Sequence, residues 1–238
     1  MIYSLTSQER EKLAEGLRAA FAIPYIDDIE DFIWEAIFAH VKSIPLVDPL
    51  TETRSKKLFD LVDQNSSIGW SAKALQWAFK PLGEFELVIQ RADIFKKAEE
   101  LGFEKLTKES PPADLGKALL RHWYGKVEQD MKTQKVKDAR ICLLIKSSDR
   151  KKFVYVEEPI SDYKEKDLIW KWTDSTNTGL QGTRKKDGFC IFRWYPNQKQ
   201  LFERFKLTAD PDIVTIEPRR LPLEEITKFL IDRLGSTS

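Results

Sequence analysis

Apolar residues recur at helical spacing at the front of the chain and in short strand-like runs further on. Leu13, Leu17 and Phe21 are four apart, behind Thr6 and Glu9 in capping-box spacing, which predicts a first helix ended by Pro24. Ile29, Ile33, Ile37 and His40 share the face of a second, with Asp27 and Asp28 as caps and Pro45 and Pro49 closing it. The pattern changes at Lys57. The runs Lys57 to Asp63 and Ile68 to Leu75 read as two strands around the polar turn Gln64 to Ser67, and Phe85 to Gln90 reads as a third, expected to neighbour the second. A short helix is expected over Asp93 to Leu101, ending at Gly102. Ser110 and Pro111 open a longer one carrying Leu115, Leu119, Val127 and Met131.

Five more strands are expected in the rear half: Arg140 to Lys146, Lys152 to Pro159, Leu168 to Thr173, Phe189 to Tyr195 and Gln200 to Leu207. Leu221 to Leu234 closes the chain as an amphipathic helix. The fold class is therefore α+β with an α/β-type core: N-terminal helices, a central mixed sheet flanked by helices, and a strand-rich C-terminal part. The expected division is 1–135 for the helical front and core and 136–238 for the strand-rich part, both packed in one compact unit.

The 238 residues are 42% hydrophobic and 32% charged, which suits a packed core and a wet surface. No apolar run is long enough for a membrane span and the N-terminus lacks a signal-peptide pattern, so a cytoplasmic protein is expected. Cys142 and Cys190 lie in separate apolar runs and read as buried, reduced thiols. The net charge of +1 hides an asymmetry. Met1 to Glu52 holds 4 Lys/Arg and 10 Asp/Glu, whereas Lys117 to Lys152 holds 11 and 4, and Arg184 to Lys206 holds 7 and 2. Positive charge concentrated in this way can hold a polyanion, although most such runs are solvated lysines.

The segment Lys57 to Leu75, KLFDLVDQNSSIGWSAKAL, carries the chemistry. An aspartate, Asp60 or Asp63, stands near the end of one strand. Ser71 and Lys73 then fall two apart, on one face of the next. Gly69 within that strand marks a bulge, a close backbone approach or a plain turn. The segment resembles the PD-(D/E)XK nuclease superfamily, which includes type II restriction endonucleases and whose core hairpin carries an Asp, then an acid and a Lys two residues apart. The resemblance covers about one-tenth of the chain. It implies Mg²⁺-dependent hydrolysis of phosphodiester bonds, with Asp60 or Asp63 as first metal ligand and Lys73 as catalytic lysine. Ser71 departs from it, since the second acid belongs there. Glu86 on the third strand is the first candidate to replace that acid, with Glu84 and the helix residue Glu35 behind it.

Duplex DNA is the partner this resemblance implies, and a homodimer is a candidate assembly. The expected DNA contacts are Gln90 and Arg91 at the end of the third strand, Arg184, Lys185 and Lys186 in the polar, basic loop expected over Asp174 to Gly188, and Arg193 among the rear aromatics. Tryptophans at alternate strand positions, such as Trp170 and Trp172, are more often core. His40 and His122 have no triad partners, and Walker, GxGxxG and HExxH motifs are absent. Two other readings stay open: a non-catalytic DNA-binding module, and a protein-interaction subunit.

Overall fold

The computed structural model describes residues 3–45, 57–76, 83–207 and 210–235. The α+β expectation holds: among the described residues there are four α-helices and ten strands in two five-stranded sheets, most of the strands in the rear half. The division of the chain differs from the expected one. Residues 1–79, 133–160 and 210–238 form one unit, and 80–132 with 161–209 form another. A boundary near 133 is common to both divisions. Local periodicity shows where strands are, not which strands pair, so an interleaved chain reads as a continuous one.

In the first unit, α1 (Ser7–Ala22) starts with both halves of the expected capping box: Glu9 N–H to the Thr6 hydroxyl and Thr6 N–H to the Glu9 carboxylate. It buries Leu13, Leu17, Ala20 and Phe21. Helix α2 (Asp31–Lys42) starts three residues later than its expected caps, after Glu30, whose side chain makes no capping bond. It buries Trp34, Ile37, Phe38, Ala39 and Val41, and it ends at Ser43, whose φ of 55° is left-handed. His40 is exposed. Pro45 follows the helix end, and Pro49 lies outside the described residues.

Both helices pack into one hydrophobic cluster with the first sheet, whose order is β1 (Leu61–Asp63), β2 (Ile68–Gln76), β4 (Asp138–Lys146), β5 (Lys152–Pro159) and β10 (Asp212–Thr215). Strand β1 is antiparallel to β2, β2 is parallel to β4, and the remaining pairs are antiparallel. Trp70, Ala72, Cys142, Leu144, Phe153 and Tyr155 point into the helix-covered cluster. Each large apolar side chain fully buried there contributes about 1.5–3 kcal/mol. Helix α4 (Leu223–Gly235) leaves Leu223, Phe229, Leu230 and Ile231 exposed.

The second unit holds an antiparallel sheet, in the order β3 (Glu84–Arg91), β9 (Gln200–Lys206), β8 (Cys190–Tyr195), β7 (Leu180–Arg184) and β6 (Leu168–Trp172). Helix α3 (Pro112–Gln134) belongs to it except for its last two residues. A Cβ on Gly116 would lie 2.3 Å from the Trp170 ring, so glycine is what lets α3 approach the sheet. Trp170 stacks on Phe192 and Trp194 donates to the Ala92 carbonyl, so both tryptophans are core. The stretch Asp174 to Gly188 is not one loop, because it contains β7. The short helix expected over Asp93 to Leu101 is reduced to a 3-10 turn at Glu99–Leu101.

One expectation is overturned here. Phe85 to Gln90 does form a strand, but β3 pairs with β9 and is not a neighbour of β2. The hairpin β1–β2 stands without it.

Candidate active site

Strand β1 is short, and that shapes the site. Pairing with β2 stops at Leu61 opposite Trp70, and the backbone upstream turns away after one more bond, from the Asp60 N–H to the Trp70 carbonyl. The Gln134 side-chain amide holds both polar groups of the Phe59 backbone. The Phe59 ring lies over Gly69, where a Cβ would come 2.8 Å from the ring and 2.6 Å from Val136. The close approach expected at Gly69 is therefore present, and it fixes the residue just before Asp60.

Beyond Trp70 the outer edge of β2 has no strand partner among the described residues. Side chains take its polar groups instead. Asp60 Oδ2 accepts from the Ala72 N–H at 2.8 Å and from Lys73 Nζ at 3.1 Å. Lys73 Nζ also donates to the Ala72 carbonyl at 2.8 Å. Two residues on, the Ala74 N–H donates to Asp31 Oδ1 at 2.8 Å. Asp31 is the first residue of α2, so the helix start and the hairpin bring two carboxylates and one ammonium to one strand edge.

Asp60 as a residue is exposed, yet its side chain keeps only 20% of its accessible surface. Loss of hydration pushes its carboxyl above the ordinary value of 3.8. The Lys73 charge and the Ala72 N–H pull the other way without cancelling it, and the Asp31 charge adds to the rise. Asp60 Oδ1 and Asp31 Oδ2 have no hydrogen-bond donor among the described residues.

These two oxygens suit a hard divalent cation. Mg²⁺ is held through one or two carboxylates and keeps several waters. Among the described residues no three His, Cys, Asp or Glu side chains enclose a metal. Asp60 and Asp31 are the groups that would hold it. Their donor chemistry fits.

Of the residues singled out in the sequence, Asp60 and Lys73 meet. Asp63 does not join them: it accepts from Asn65 N–H and the Ser66 hydroxyl, and closes the β1–β2 turn. Ser71 is buried. Glu35 is half-buried one turn beyond Asp31 on α2. Glu86 belongs to the other sheet. On β3 it accepts from Arg193 at 3.2 Å and lies 3.8 Å from Arg204, so it answers charges in its own sheet. Glu84 likewise pairs with Arg204 and Lys206. Asp31 was missed because an acid at a helix start is usually read as complementing the helix dipole. The one available signal was its distance of a single turn from Glu35.

The expected DNA contacts separate into two groups. Arg184 is held by Asp187, and Arg193 by Glu86 and Tyr195. The Gln90 side-chain oxygen is buried without a hydrogen-bond partner among the described residues. Arg91, Lys185 and Lys186 are exposed, the two lysines at the turn between β7 and β8.

Compared with family models, curated proteins and solved structures, the chain finds no match in any of the three.

Proposed function

We propose that this protein is a metal-dependent nuclease of the restriction-endonuclease kind, hydrolysing phosphodiester bonds of duplex DNA. The observation that carries the reading is the joint hold of Asp60 Oδ2 on the Ala72 N–H and the Lys73 ammonium, at the edge where β1 leaves β2. Two features support it. The hairpin is followed by a parallel strand, β4, after a long connection, and the start of α2 brings a second carboxylate to the same edge.

In this reading Asp60 and Asp31 would hold Mg²⁺. The cation, when bound, offsets phosphate charge and makes a coordinated water a better nucleophile. The Lys73 ammonium donates hydrogen bonds, to the attacking water or to a phosphate oxygen as negative charge builds there. The Asp60 carboxylate fixes the ammonium beside it, so Lys73 needs no rearrangement before reacting. Asp31 supplies the carboxylate that Ser71 does not.

Ser71 also favours a second reading, a DNA-binding module that does not cut. Cleavage and binding must therefore be measured separately. With duplex DNA and Mg²⁺ the protein is expected to cut, and a chelator is expected to stop it. Lys73→Ala should slow cutting about 100-fold or more while leaving DNA affinity within a few-fold. Asp63→Ala should cut normally. Binding without cutting by the wild type selects the second reading, and normal cutting by Lys73→Ala removes the assignment of the lysine.

A further inference from the structure

A second lysine at the same end of the first sheet is almost fully buried. Lys146, the last residue of β4, is 5% exposed. Its Nζ donates to Asp28 Oδ2 and to the Ile29 carbonyl, each at 2.7 Å. An ammonium removed from water is costly unless it is paired and hydrogen-bonded, so a lysine here needs both acceptors. Methionine or leucine would fill the space without that requirement. Asp28 is itself folded against the next residue, its Oδ1 accepting from the Ile29 N–H, and Ile29 is wholly buried in the cluster.

Position gives this contact its significance. Gln76, the end of β2, lies in register with Lys146 on the neighbouring parallel strand. Asp28 and Ile29 lead directly into Asp31, the first residue of α2, which accepts the Ala74 N–H. Helix α2 has no side-chain cap of its own at Glu30, and its first turn is closed by the Trp34 N–H to the Glu30 carbonyl. The ammonium ties the approach to that turn onto the sheet, on the strand next to β2, whose outer edge holds Asp60, Lys73 and Asp31.

We infer that Lys146 is a positioning residue: it clamps the start of α2 so that the Asp31 carboxylate stays on the β2 edge beside Asp60. The role of this clamp in catalysis rests on the nuclease reading. The clamp itself does not, and the experiment keeps the two apart.

Amide hydrogen exchange of Ala74 reports whether Asp31 is in place, because Asp31 is its acceptor. Asp31→Ala calibrates the probe by removing that acceptor. Lys146→Met keeps the stem and deletes the ammonium. The expected result is at least tenfold faster exchange at Ala74 in Lys146→Met, approaching the Asp31→Ala value, with exchange at Leu144 in the sheet interior unchanged. In a cleavage assay the same variant should need severalfold more Mg²⁺ for half-maximal rate, with its DNA affinity kept. Asp28→Ala, at a half-exposed position, repeats the exchange test from the other partner should Lys146→Met not fold. Wild-type exchange at Ala74 in a folded variant of either residue, alongside fast exchange in Asp31→Ala, would overturn the clamp and leave the nuclease reading standing. Fast exchange in a protein whose wild type never cuts DNA would do the reverse.

Discussion

Burial raises the Asp60 carboxyl above 3.8, although a lysine and a backbone N–H both stabilise its charge. The folded state therefore binds the proton more tightly than the unfolded chain does. Between 3.8 and the raised value, stability falls as pH increases, because the fold is then forced to hold a poorly hydrated charge. Asp60→Asn removes that charge and keeps an oxygen able to accept from Ala72. It should melt no lower than wild type at neutral pH, and its advantage should grow as pH rises from 3.8 and then level off. A lower melting temperature at neutral pH would mean that the ion pair mainly supports the strand edge. That an aspartate, Asp60 or Asp63, stands beside Lys73 was legible in the sequence because the strand–turn–strand pattern is local, and the structure puts Asp60 there. Asp31 was not, because only the packing of α2 on the sheet places residues 31 and 60 at one edge.

At the scale of elements, the first sheet is tied to α2 through a fully buried carboxylate. Glu157 on β5 accepts from Trp70 Nε1 at 2.8 Å, Arg140 Nη1 at 2.7 Å and the Tyr155 hydroxyl, with Lys42 of α2 at 3.1 Å. Burial alone would push this carboxyl up, but these four partners outweigh it and hold the group below its ordinary 4.5. The stability it contributes is present above 4.5 and lost as pH falls through the depressed value. Glu157→Ala should cost about 3–5 kcal/mol in chemical denaturation, since Lys42 and Arg140 would be left without their buried counter-charge. A cost below about 1 kcal/mol would show that the cations' other partners, Glu9 for Lys42 and Asp138 for Arg140, suffice. Element positions were largely readable, from the capping box at Thr6 to the strands of the rear half. Pairing was not. The run FELVIQR shows a strand in the sequence, but its partner is β9, more than a hundred residues away, and no local pattern encodes that choice.

For the whole molecule, the charge asymmetry of the sequence is partly spent inside the fold. Within the basic stretch Lys117 to Lys152, Lys126 pairs with Asp130, Arg140 with Asp138 and Glu157, Lys146 with Asp28, and Lys151 with Glu217. Lys185 and Lys186 are exposed and make no ion pair with the described residues. DNA affinity should still fall steeply with salt. If both lysines meet phosphates, replacing them with alanine should flatten the log–log slope by roughly 1.8, since each phosphate contact adds about 0.9. An unchanged slope would place the DNA elsewhere. Binding is nevertheless secondary to the claim that the edge of β2 is where phosphodiester bonds break. The most direct measurement is the single-turnover cleavage rate of one duplex by wild type and by Asp60→Asn, with Mg²⁺ present and enzyme in excess. The account predicts that Asp60→Asn folds, binds the duplex as wild type does and cuts at least about 100-fold more slowly. Equal rates from the two proteins would contradict it.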